Sequence, residues 1–211
     1  MDNKDKARSR RSILAVPFCL LMLSACASSA NHIDQGKRLL ENKQYDEALR
    51  EFNQAIKDDP NQYYAYFGQG FAYVNSGHPD LALASAQKAL ALKPDDAGSY
   101  FVRGQAEADL KQTDAALADM TQAIKLNPKK ANYVAMRSLI YATAGLQGRA
   151  IADARTALSL DPRSVAALVA EALVYQAQGQ REMAANQINK AAAIEPNNPT
   201  VQKLRAMFNQ Q

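Results

Sequence analysis

Apolar and small residues follow two regimes along the chain. Residues 13–23 are apolar throughout, broken only by Pro17, and Lys4, Lys6, Arg8, Arg10 and Arg11 precede them. From residue 29 onward the pattern switches to a period of 34. Prolines fall at Pro60, Pro94, Pro128, Pro162 and Pro196. Small residues keep the same step at Ala48, Ala82, Ala116, Ala150 and Ala184, and at Ala55, Ala89, Ala123, Ala157 and Ala191. A third column, Gly36, Gly70, Gly104, Ser138 and Ala172, is always small, and a fourth is mostly large: Leu39, Tyr73, Glu107, Tyr141 and Tyr175. Coincident columns at one period mark a repeat protein.

The spacing inside a unit predicts helices. Over residues 63–75, at 100° per residue, Tyr66, Gly70 and Tyr73 share one face, while Tyr64, Phe67 and Phe71 lie on another beside Val74. Each periodic proline follows a second helix, where it removes an amide donor and pushes the preceding residue out of helical geometry. Asp95, Asp96, Asp161 and Ser164 are then placed to cap the next helix. Gly77-His78-Pro79, Gly145 and Gly179 mark turns at helix ends. Val201, Leu204 and Phe208 predict a short final helix.

Period, small columns, aromatic column and closing proline together resemble the tetratricopeptide repeat, a helix-turn-helix unit of 34 residues. The resemblance implies an all-α fold, a right-handed superhelical solenoid. Five repeats would occupy residues 31–198, after a short tether at 26–30 and before a capping helix at 199–211. Small residues let paired helices approach to about 8–10 Å. One unit cannot bury its apolar side alone, so neighbours must stack. His32 and Glu107 depart from the bulky apolar or aromatic residue expected at their places, and looser packing is expected there.

The first 25 residues read as an address. A basic head, an apolar middle and a small-residue exit make a bacterial secretory signal, and the run falls short of the ~20 residues a bilayer span needs. The exit, Leu23-Ser24-Ala25-Cys26, resembles a lipobox. That resemblance implies a thioether-linked diacylglycerol on Cys26 and, after cleavage, an amide-linked third chain such as palmitate. Ala27 next to it resembles lipoproteins passed to the outer membrane, so the expected location is the periplasmic face of that membrane. Ser9-Arg10-Arg11-Ser12-Ile13-Leu14 also resembles a twin-arginine export motif, with a plain basic head as the other reading. Cys19 leaves with the signal, so the mature chain would hold one acylated cysteine and no disulfide.

Charge changes the picture only once the signal is set aside. The whole chain carries 25 Lys+Arg against 21 Asp+Glu. Five of the basic and two of the acidic residues lie in residues 1–25, which leaves 20 against 19. The basic excess therefore belongs to export, and nucleic acid is not an expected partner. An apolar share of 47 % excludes wholesale disorder. No Walker loop, zinc-type histidine spacing or nucleophile elbow is present. Gly68-Gln69-Gly70 starts like a dinucleotide fingerprint but lies within a helix and lacks the third glycine. His32 and His78 are isolated, and the acid pairs Asp58-Asp59 and Asp95-Asp96 belong to turns between units. The chain reads as a non-enzyme with no cofactor, no metal and no small-molecule substrate.

What remains is a surface for proteins. In tetratricopeptide proteins the face bearing Tyr64, Phe67 and Phe71 lines the concave groove, and Phe101 holds the corresponding place one unit on. These four are the candidate partner groove, since aromatic rings give large contact area at low entropy cost. Val169 and Leu173, at the equivalent places of the fifth unit, are expected to pack within the stack instead. Ile33, Lys37, Gly68, Gly98 and Val102 occupy the places of a carboxylate clamp, and a single basic residue there argues against one. The layout resembles lipoproteins that assist type IV and tight-adherence pilus assembly, which implies a scaffold for protein or peptide partners in an envelope machine such as a pilus or secretion system. A lipoprotein adaptor that regulates peptidoglycan hydrolases or synthases fits the same features.

Overall fold

A computed structural model describes the backbone of residues 15–209 and the side chains of residues 27–208. Residues 1–14 and the Cys26 side chain, with its expected lipid, lie outside the described residues. Every described element is a helix: α1 (Ala15–Glu41), α2 (Tyr45–Asp58), α3 (Tyr63–Asn75), α4 (Pro79–Leu92), α5 (Ala97–Asp109), α6 (Thr113–Leu126), α7 (Ala131–Thr143), α8 (Gln147–Leu160), α9 (Val165–Ala177), α10 (Arg181–Ile194) and α11 (Pro199–Asn209). From α3 to α10 the lengths alternate strictly, 13 residues for the first helix of a repeat and 14 for the second. No described helix is long and apolar enough to cross a membrane.

The punctuation between helices is as periodic as the columns. Lys43, Gly77, Lys111, Gly145 and Gly179, again 34 apart, all take positive φ, between 59° and 81°. The amide of the next residue then donates to a carbonyl five residues back, as in His78 to Tyr73 and Gln112 to Glu107. This is the αL stop that satisfies the last carbonyls of a helix. Glycine meets its backbone demand without strain at three places, and lysine takes it at two. Between repeats, Asp96 caps α5 by accepting from the Ser99 amide and hydroxyl, both at 2.7 Å. Ser164 stands at the N-cap of α9 without a side-chain cap bond. Asp161 instead accepts from the Arg163 amide within the turn (3.0 Å).

The chain divides into two compact units at Pro94 and Asp95. In the first, α1 to α4, the centre is Phe52, fully buried among Ile33, Ala48, Ala55 and Ala65. Residues 26–30, the expected tether, have helical backbone. They continue α1, Ser29 is fully buried, and its hydroxyl donates to the Ala55 carbonyl at 3.1 Å. Ala27, Ser28 and Ala30 beside Ser29 are exposed.

In the second unit, α5 to α11, one cluster gathers Val134, Ala135, Ala154, Ala157 and Ala167. Another gathers Leu168, Val169, Ala172, Ile188, Ala191 and Val201. Val201, Leu204 and Phe208 bring α11 onto the latter, so the last helix covers an end that a further repeat would otherwise cover. Val169 is core and Leu173 packs against it, as expected of the fifth unit. Ser138, in the small column, is fully buried and returns its hydroxyl proton to the Ala150 carbonyl at 2.8 Å.

Candidate partner-binding surface

Helix α3 carries a continuous line of rings. Tyr63 meets Tyr64 edge-on with centroids 6.1 Å apart, Tyr64 meets Phe67 at 5.2 Å, and Phe67 meets Phe71 at 6.4 Å. All four are half-buried. The i, i+3, i+7 spacing of Tyr64, Phe67 and Phe71 puts them on one helical stripe, and edge-to-face contact is the geometry ring quadrupoles favour. The line is rooted at one end, because Tyr64 packs against the core cluster around Phe52. Cations frame the same end. The Lys37 ammonium lies 4.5 Å from the Tyr64 centroid, and Lys93 lies 4.5 Å from that of Tyr63 and 3.3 Å from its hydroxyl. Such contacts hold rings in place by about 0.5–1 kcal/mol when exposed.

Phe101 has a different setting. It belongs to the second unit, is 7 % exposed, and its ring lies 4.9 Å from that of Tyr133, itself buried. Tyr64, Phe67 and Phe71 are thus brought together as a partly open surface, whereas Phe101 is packed. Gly68 is equally committed, to the Phe52 ring. The second unit offers shallow clefts of its own. One of about 270 Å³ has walls of Met136, Leu139 and Ile140 with Asp109, Lys111 and Thr113 at its rim.

A polar relay runs along the repeats, unannounced by any single residue type. In four repeats a residue of the first helix pairs with the one 16 positions on, in the second helix. Ser85 donates to Gln69 (2.7 Å), Arg103 clasps Asp119 (2.5 and 2.8 Å), Arg137 clasps Asp153 (2.7 and 3.0 Å), and Gln187 donates to Glu171 (2.9 Å). Gln69 and Arg137 also reach back 16 positions, to Asn53 (2.7 Å) and Thr121 (3.1 Å), and so join consecutive repeats. Hydrogen bonding to Asp119 and Asp153 raises the affinity of both guanidinium groups for their protons. Complementary residues 16 apart, recurring at the 34-residue step, were the signal available. His32, where a bulky apolar residue was expected, serves the first repeat similarly, with Nδ1 2.6 Å from Glu51 and Nε2 3.9 Å from Asp58. The Ser28 hydroxyl first, opposed by burial, with Gln54 donating to Oδ1 at 2.8 Å, holds the Asp58 carboxyl below its ordinary value.

Residues 33–97, 69–131 and 101–165 match a family model of the tetratricopeptide repeat, and the chain belongs to that family. Such proteins bind protein or peptide partners, and the fold is typically non-catalytic. Among solved structures the chain is similar to TTC0263, a thermophilic tetratricopeptide-repeat protein of Thermus thermophilus. The two share 25 % identity at a TM-score of 0.75 over 87 % of this chain and 100 % of that one. It also resembles YrrB, a repeat protein with an unusual peptide-binding site (22 %, TM-score 0.60, 85 % and 91 % covered), and pilF of Pseudomonas aeruginosa (16 %, TM-score 0.69, 89 % and 91 % covered). The last two likenesses are likenesses of fold. No curated protein sequence matches the chain.

Proposed function

We propose that the chain is a membrane-anchored scaffold of the bacterial envelope. It is acylated at Cys26 and held on the periplasmic face of the outer membrane. There it docks protein partners during assembly of a machine such as a pilus or secretion system. The observation that carries the docking reading is the ring line Tyr64, Phe67 and Phe71, half-exposed on a helix that buries Ala65, Gly68, Gly70 and Ala72. The anchor reading is supported by the sequence Leu23-Ser24-Ala25-Cys26. It is supported further by Ser29, three residues on, which is fully buried and donates its hydroxyl to the Ala55 carbonyl of α2. An acylated N-terminus would then join a folded repeat almost directly, and the first unit would stand against the bilayer.

The test has two arms. Radiolabelled palmitate should enter the wild-type chain and not Cys26→Ala; equal labelling of the two removes the anchor. A photo-crosslinking residue placed at Phe67 in the native envelope, followed by mass spectrometry, should capture components of one envelope machine. Capture of cell-wall hydrolases or synthases instead would replace assembly with regulation of those enzymes.

A further inference from the structure

The third repeat differs from its neighbours at one buried place. Where the same column carries Leu39, Tyr73, Tyr141 and Tyr175, α5 carries Glu107, which is 8 % exposed. Its Oε2 has no hydrogen-bond partner. Beside it, one helical turn back on α5, Arg103 directs Nε and Nη2 at the two oxygens of Asp119, and Asp119 acts on the Glu107 carboxyl through its charge and hydrogen bonding. Two carboxyls thus share one guanidinium in a place largely closed to water. With both ionised the cluster carries an uncompensated negative charge and an orphaned oxygen, which is costly. With one proton added, the Glu107 O–H can donate to Asp119 and the cluster is neutral. The fourth repeat provides the contrast, since Arg137 and Asp153 make the same pair with Tyr141 at the place of Glu107.

We propose that Glu107, Asp119 and Arg103 form a proton-operated latch between α5 and α6. A proton held by Glu107 closes it, and release of that proton loosens the third repeat. The charges acting on Glu107 are Asp119 of α6 and Arg103 of its own helix. Helix α7, also packed on α5, adds none among the described residues. Burial first, and Asp119 second, push the Glu107 carboxyl up from 4.5 to about 7, against the pull of Arg103. Below 4.5 folded and unfolded chains both hold the proton, and the latch contributes fully. Between 4.5 and about 7 only the folded chain holds it, so stability falls as pH rises, and above about 7 the loss is complete.

Two measurements on the whole chain test the latch. A carbon-13 titration of the Glu107 side-chain carboxyl should find its midpoint near neutrality; a midpoint in the ordinary glutamate range overturns the proposal. Amide hydrogen exchange, corrected for its intrinsic pH dependence, should show α5 and α6 losing roughly tenfold or more protection between about pH 5.5 and 8.5 relative to α8. In Glu107→Gln, which keeps the shape and cannot ionise, that differential loss should vanish. If it persists in the variant, or is missing from the wild type, the latch is wrong. Should Glu107→Gln fail to fold, Glu107→Tyr, which restores the aromatic of the fourth repeat, takes its place under the same two criteria.

Discussion

The ring of Phe52 occupies the space that a side chain on Gly68 would need. A Cβ built there would lie 2.3 Å from Cζ of the ring, and one on Gly36 would lie 2.7 Å from it. The ring is therefore held between two glycines, one on α1 and one on α3, and is fully buried. Gly68→Ala sets a helix-propensity gain of about 1 kcal/mol against overpacking of about 1–3 kcal/mol. Overpacking should win, because Gly36 blocks retreat on the other side. Thermal melting should show Gly68→Ala destabilised. Adding Phe52→Leu should recover part of the loss, a coupling that two independent defects would not produce.

The αL column gives the opposite sign. Lys111 holds φ at 64° and Lys43 at 59° where three other repeats use glycine. A non-glycine residue there is strained by about 1–2 kcal/mol, while glycine adds entropy to the unfolded chain. Lys111→Gly should therefore stabilise by about 0.5–1 kcal/mol in denaturant titration. Gly145→Ala, at φ 75° with nothing within 4 Å of the added carbon, should destabilise by a similar amount through backbone strain alone.

These two cases show what the sequence could and could not reveal. Prolines and Gly77, Gly145 and Gly179 act through backbone geometry within a few residues, so their spacing alone locates helix ends and turns. Lys43 and Lys111 take the same conformation with nothing in their chemistry to announce it. Phe52 against Gly68, and Arg103 against Asp119, are contacts 16 residues apart that exist only once two helices have paired. Phe101 sits on the expected face, and only the packing of Tyr133 distinguishes it from Phe67.

Arg137 and Asp153 form a two-pronged pair, 19 % and 14 % exposed in their side chains, with Thr121 on a further guanidinium nitrogen. Removing one partner strands the other's charge in a half-dry place, whereas removing both does not. Arg137→Leu or Asp153→Leu alone should each cost about 1–3 kcal/mol. The double variant should cost less than the sum of the two, as read from urea midpoints at constant m.

The ring line and the packed ring predict different outcomes for the same substitution. Phe67 is half-buried on the line of α3, while Phe101 is 7 % exposed against Tyr133. Phe101→Ala removes a buried ring and should cost about 3–5 kcal/mol, visible as a lower melting temperature. Phe67→Ala and Phe71→Ala together should shift melting far less and leave helical circular dichroism intact, yet weaken capture of envelope partners at least tenfold, about 1.4 kcal/mol of binding. If the α3 pair unfolds the chain as Phe101→Ala does, those rings are core and the partner surface lies elsewhere. If it folds and still captures partners at full strength, α3 does not carry the binding.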